Sequence, residues 1–333
     1  MTGSETGYRV EDELQELRDR VAKLEARTES IARAFSRVRH QGRRVGLRPP
    51  LWTFEQYGAR ALNVRPAYRD EKIPPDAVSV AIVTPSFNHA RYLPATIESV
   101  LGQNYPRLSY LVQDGGSSDN TVDILRSYGV RLEWRSARDA GQAQAINHAF
   151  AACKGDVMAY LNSDDTLLPG TLAYVAGVFR SRPDVDVVYG NRIFVDREGL
   201  EIGRAVLPRH DANALYWADY VPQETMFWRR WVWEAIGPFD ESFQYALDWD
   251  FILRAQHAGF KFLRVPRFLA CFRVHDEQKT AVNYDLGREE MQRLRKRYLG
   301  YEPTHAQVMR NITPYLMRQL AVHWAYRLGI LRF

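Results

Sequence analysis

Cysteine is nearly absent: only Cys153 and Cys271 occur in 333 residues. They lie far apart in apolar contexts, so neither a disulfide framework nor a cysteine-rich zinc site is expected, and a reducing compartment fits. No run of about eighteen apolar residues occurs, which argues against an ordinary transmembrane helix. The N-terminus turns polar and acidic where the apolar core of a leader would stand, so no secretory signal is expected. Charge of one sign is also scarce. Lys and Arg number 45 against 40 Asp and Glu, leaving a net charge of +5. That excess is too small to argue for nucleic acid but suits an anionic substrate or membrane surface. Internal repeats and low-complexity tracts are missing. These absences lead to the expectation of a cytoplasmic protein, free or peripheral at the inner membrane face.

What is present is a globular chain, 46% hydrophobic and 12% aromatic, long enough for one large domain with appendages. Residues 8–40 carry apolar positions at Val10, Leu14, Leu17, Val21, Leu24, Thr28, Ile31, Phe35 and Val38, alternating steps of four and three. That heptad seam predicts a coiled coil and a homo-oligomer formed through 10–38. The alternative is one amphipathic helix lying on the body, for which the apolar stripe is narrow. Residues 41–76 are broken by Pro49, Pro50, Pro66, Pro74 and Pro75 and read as a semi-rigid linker, part of which packs through its aromatics.

From Val78 strands and helices alternate. Strands are predicted over 78–84, 108–112, 130–134 and 157–161, with helices over 93–101, 121–128 and 142–153. Short connections in that rhythm predict a mostly parallel sheet covered on both faces, with ligands at the carboxyl ends of its strands. A strand over 185–189, a hairpin turning at Asp196-Arg197-Glu198-Gly199, and helices over 230–236 and 248–257 complete a domain spanning 77–280. Its halves are 77–190 for nucleotide and 191–280 for the acceptor side. The tail, 281–333, is helical.

Four polar clusters fall at strand ends: Thr84-Pro85-Ser86-Phe87-Asn88, Asp114-Gly115-Gly116-Ser117-Ser118-Asp119, the segment from Arg138 to Asn147, and Asn162-Ser163-Asp164-Asp165. Small residues let backbone approach a ligand, and an acceptor-only carboxylate at Asp114 suits the imide N–H of a pyrimidine. The adjacent Asp164 and Asp165 offer hard oxygen ligands for a divalent cation and a phosphate-bearing partner. Ordinary turns and helix caps are the competing readings for each cluster taken alone.

Taken together with Gly237-Pro238-Phe239-Asp240-Glu241, Asp248-Trp249-Asp250 and Arg273-Val274-His275, these clusters resemble the family 2 glycosyltransferases, inverting enzymes with the GT-A type of nucleotide-sugar fold. The resemblance spans about Val78 to Thr280. It implies that Pro85, Phe87, Asn88, Asp114, Asp139, Gln142, Asn147 and Asp164 bind the nucleotide or donor sugar. It implies that Asp165, with His275, holds Mn2+ or Mg2+, and that Asp248 is the general base that deprotonates the acceptor hydroxyl. Gln223, Glu224, Trp249 and Arg273 fall on the acceptor side, and Arg273 is a candidate to assist His275.

The implied function is transfer of a sugar from a nucleotide donor, UDP-sugar by default, to a surface-glycan or lipid-linked saccharide acceptor. The chain departs from the family at Gln113, where a second acid is common, at Leu247 before Asp248, and at Gln278. Rival readings are a nucleotidyltransferase, for which a basic Gly-rich loop is missing after the first strand, and a non-catalytic scaffold. In the tail, Leu316, Leu320, Trp324, Leu328 and Leu331 recur at helical spacing among basic residues. Over 303–333 this reads as an interfacial membrane helix or as a helix packed on the body.

Overall fold

The computed structural model describes residues 53–276, 278 and 284–333. The heptad seam over 8–40 and the start of the predicted linker lie outside the described residues. The strands are β1 Val80–Ser86, β2 Leu108–Asp114, β3 Glu133–Ser136, β4 Val157–Tyr160, β5 Thr166–Leu167, β6 Val187–Val195, β7 Glu201–Ala205, β8 Phe227–Arg229 and β9 Phe262–Arg273. They form one sheet in the order β3-β2-β1-β4-β8-β6-β9-β5, with β7 paired to β6. Strands β1, β2, β3 and β4 run parallel, as do β6 and β9, whereas β5, β7 and β8 pair antiparallel.

The helices are α1 Leu93–Leu101, α2 Thr121–Ser127, α3 Gln142–Ala152, α4 Thr171–Ser181, α5 Ala212–Leu215, α6 Arg230–Ile236, α7 Leu247–His257, α8 Tyr284–Leu299 and α9 His305–Arg327. All seven residues of β1 are buried, as expected of a strand covered on both sides. Its alternation assigns Ala81 and Val83 to one core with Ile146, Ala149 and Phe150 of α3, and Val80 and Ile82 to the other with Ile97 of α1 and Val175 of α4. Strand order reverses between β1 and β4, and their carboxyl ends open onto the crevice where doubly wound sheets bind ligands.

Two segments differ from the sequence reading. Val130 does not start a strand; it sits fully exposed on a 3-10 turn, Gly129–Arg131, which Gly129 enters at φ 55°, and the edge strand begins only at Glu133. The described part of the predicted linker is seated on the sheet. Arg60 bridges to Glu201 of β7, and Tyr68 is buried with its hydroxyl accepting from the Phe268 N–H. Gly203 permits this seating, since a Cβ there would lie 2.3 Å from the Phe54 carbonyl oxygen.

In the tail, α9 opens with a capping box between Thr304 and Gln307. It buries Val308, Ile312, Tyr315, Leu316, Gln319 and His323, so most of its length packs on the body. Among the described residues no helix is long and apolar enough to cross a membrane.

Candidate active site

The first wall of the crevice is built by the ends of β1 and β2. Pro85 is buried in β1 opposite Gln113, and Phe87, two residues on, stands 60% exposed at the rim. Asn88 takes a left-handed conformation at φ 54°, a position asparagine tolerates. There its backbone N–H donates to Ser117 Oγ and its Oδ1 accepts from the Ser118 N–H, locking the two loops together.

Asp114 was expected to offer an open oxygen to a base. The structure instead buries it completely: Oδ2 accepts from the Gly116 and Ser117 N–H groups and Ser136 Oγ, and Oδ1 accepts from Ser117 Oγ at 2.5 Å. Four donors fill the acceptor capacity of one carboxylate, so Asp114 shapes the pocket floor. Asp139, half-buried, caps its own turn by accepting from the Gly141 N–H, and its carboxylate lies against Gly115.

Behind the crevice runs a chain of amides. Gln142 Nε2 donates to Asn162 Oδ1 at 2.7 Å, Asn162 Nδ2 donates to Gln223 Oε1, and Gln223 Nε2 donates to the Tyr160 carbonyl at 2.7 Å. This chain fixes the turn after β4. Asn147 lies outside it: Nδ2 donates to the Phe239 carbonyl and Glu241, and Oδ1 accepts from the Phe239 N–H. Both ends of its amide are spent holding α3 to the loop before α7, so it is a clamp where a donor contact was expected.

The two acids after β4 differ in burial and in partners. Asp165 is buried, its Oδ1 accepts from the Arg273 N–H at 2.9 Å, and its carboxyl is pushed well above the usual range by burial, then by the charges of Asp164 and Glu224. Asp164 keeps some exposure, and its Oδ2 lies 3.0 Å from His275 Nε2. The expected partner of His275 was Asp165; the carboxylate in contact with it is Asp164. His275 is itself buried, its ring 4.6 Å from that of Tyr92, and its Nδ1 has no hydrogen-bond partner.

Arg273 does not reach toward a ligand. Its guanidinium donates to the carbonyls of Asp164, Asp196 and Arg197, pinning the acidic turn to the hairpin between β6 and β7.

Opposite these acids, α7 places Asp248 half-buried in its first turn, with Oδ1 accepting from the Trp249 N–H. Asp250 is fully buried between Arg254 and Arg297, each at 2.8 Å, so its charge is already matched. Trp249 is core: it is completely buried and its Nε1 donates to the Leu215 carbonyl. Glu224 is buried 3.1 Å from Arg192. Burial raises the Glu224 carboxyl, Arg192 opposes the rise, and the charges of Asp248 and Asp164 add to it. Burial and then Asp248 likewise raise Asp219 well above the usual range. Arg192 is thus shared among Asp165, Asp219 and Glu224, and the surplus of carboxylates over Arg192 and Arg273 sets the electrostatics of the crevice.

Several contributors carried no sequence signal strong enough to find them. His89 donates to or accepts from Ser163 Oγ at 2.7 Å and packs near His275, and its place directly after Asn88 was the only hint. Tyr92, Arg192 and Asp219 come from segments without a motif.

A curled, mostly parallel sheet with its acids gathered at the β1–β4 switch point defines the GT-A class of glycosyltransferase fold. The solved structure of S. aureus TarS 1–349 in complex with UDP-GlcNAc shares it at a TM-score of 0.56 and 18% identity, covering 73% of each chain. The chain belongs to glycosyl transferase family 2, whose model matches residues 81–239. A PGL/p-HBAD biosynthesis glycosyltransferase of Mycobacterium bovis (strain BCG / Pasteur 1173P2) is 30% identical over 179 residues, covering 52% of this chain and 68% of the relative. Chondroitin synthase of Escherichia coli is 28% identical over 214 residues, 63% of this chain and 31% of that enzyme.

Proposed function

We propose that this glycosyltransferase moves a sugar from a nucleoside-diphosphate donor, UDP-sugar by default, to a hydroxyl of a surface-glycan or lipid-linked saccharide, with inversion. The observation that carries the reading is the convergence of Asp164 with His275 on one side of the crevice and the half-buried Asp248 on the other. The UDP-GlcNAc bound by TarS, and the saccharide named in chondroitin synthase, support the donor and acceptor classes.

A divalent metal, Mn2+ or Mg2+, fits the donor set. A carboxylate oxygen and an imidazole nitrogen meet at 3.0 Å, His275 Nδ1 is left free of protein partners, and the surrounding acids outnumber their cations. Asp164 and His275 would hold it, with Asp165 supporting the turn from behind; this moves the metal contact one residue from the sequence expectation. Among the described residues no cluster of three or more such ligands occurs. Two protein ligands leave room for phosphate oxygens, the usual arrangement where metal and diphosphate bind together. Bound there, the cation would neutralise charge on the departing diphosphate.

The remaining chemistry belongs to side chains. Asp248 takes the proton of the acceptor hydroxyl as that oxygen attacks the anomeric carbon from the face opposite the leaving group. Phe87 and the Asn88-locked loops border the base, while Gln142 and Asn162 hold the β4 turn in register. Gln223 and Glu224 set the acceptor-side floor. Residues 10–38 are proposed to bring subunits together.

Asp248→Asn should bind UDP and Mn2+ as the wild type does while losing sugar transfer by roughly a thousandfold or more. Normal transfer by that variant would refute the base assignment.

A further inference from the structure

A second cavity, of about 760 Å³, shares no residue with the acidic crevice. It lies between the segment before Tyr68 and the end of α9, and a recess of about 310 Å³ adjoins it through Arg60, Arg204, Tyr326 and Arg327. Its charge is the reverse of the crevice. Arg60, Arg65, Arg204, Arg327 and Arg332 line it, and Glu201 is buried against Arg60 and Arg204. Arg65, Arg327 and Arg332 are exposed and make no ion pair with a carboxylate among the described residues.

Two further observations point to a ligand. His323 is 91% buried by its 9% exposure, lines the recess, and has an Nδ1 with no partner. Burial and Arg327 hold its pKa down at about 4, so at neutral pH it is an uncharged hydrogen-bonding group beside the arginines. Tyr57 is flanked by guanidiniums, Arg60 at 4.2 Å and Arg327 at 5.8 Å from its ring centroid, which holds both forks in place.

The rim is apolar. The same stretch that brings Arg327 and Arg332 to the cavity exposes Leu328 at 70% and Ile330 at 73%, and Trp324 one turn earlier is 41% exposed. An arginine cluster recognises phosphate through bidentate forks, and apolar side chains beside it suit acyl chains better than water.

We propose that this arginine cavity binds the phosphate headgroup of anionic lipids, with Trp324, Leu328 and Ile330 entering the interface. The site would hold the catalytic body at a lipid surface. It stands independently of the donor and acceptor assigned above.

The test is co-sedimentation of the full chain with phosphatidylcholine vesicles, with and without phosphatidylglycerol, at fixed ionic strength. Wild type is expected to bind the anionic vesicles at least about tenfold better than the neutral ones. Arg65→Glu with Arg327→Glu should lose that preference, and Leu328→Asp with Ile330→Asp should lose most vesicle binding, each with an unchanged far-UV circular dichroism spectrum. If the charge reversals unfold the chain, Arg65→Gln with Arg332→Gln serves in their place. Sodium pyrophosphate should displace the wild type more than sodium chloride of equal ionic strength. Equal binding to both vesicle types, or undiminished binding by the arginine variants, overturns the proposal. So does a pyrophosphate-induced rise in melting temperature without vesicle binding, which would assign the cavity to a soluble phosphate.

Discussion

At the residue scale, neighbouring acids do different work because of what surrounds them. Asp248 and Asp250 lie two positions apart on α7, yet Asp250 is buried between two guanidiniums, whereas Asp248 is half-buried and its charge acts on Asp219 and Glu224. Asp250→Asn should therefore destabilise the protein by about 3 kcal/mol, since it leaves Arg254 and Arg297 short of a partner, a loss readable in urea unfolding. A similar separation divides Asn147 from Gln142. Asn147→Ala removes three hydrogen bonds to the Phe239–Glu241 loop and should cost about 2 kcal/mol while UDP affinity stays within about twofold. A large loss of UDP affinity with unchanged stability would return Asn147 to the donor site.

Such distinctions are where the sequence was least legible. The motif Asn162-Ser163-Asp164-Asp165 marks the turn, but that Asp165 is the more buried acid, accepting from the Arg273 N–H, depends on a strand more than a hundred residues away. Asp114 was identified as a crevice residue, whereas its saturation by Ser117 and Ser136 is a property of the folded loops.

At the element scale the reading from periodicity was closer. The bounds 93–101 and 230–236 match the helices observed, because their apolar spacing and their breakers, Gly102 and Gly237-Pro238, are local signals. Strand β3 was misplaced because its residues are mostly exposed at the sheet edge, so burial left little pattern. The long α9 relies on its cap: Thr304→Ala should lower stability by about 1 kcal/mol, measured as a fall in the melting temperature, with Thr304→Ser restoring most of it.

The same helix brings a pH-dependent contribution. His323 has a folded pKa of about 4 against 6.5 unfolded, so the unfolded chain binds the extra proton between those values. Its stabilisation is thus complete above pH 6.5 and falls as the pH drops toward 4, by about 2 kcal/mol after allowing for solvent near the recess. His323→Gln should flatten that part of the stability profile relative to wild type.

At the scale of the whole molecule, two oppositely charged regions share one sheet. The acids gather where β1 and β4 end, and the arginines gather where the segment before Tyr68 meets the end of α9. The first placement was foreseeable, because strand–helix alternation fixes where a doubly wound sheet opens. The second was not, since it joins residues 60–65 to residues 327–332 across the fold. The central claim concerns the first region: a nucleoside diphosphate and a divalent cation bind together there through Asp164 and His275. Calorimetric titration of UDP, with and without Mn2+, into wild type and Asp164→Ala tests it most directly. Tight binding that requires Mn2+ and is lost in Asp164→Ala is the predicted result; UDP binding that is indifferent to the metal and unchanged in the variant would contradict it.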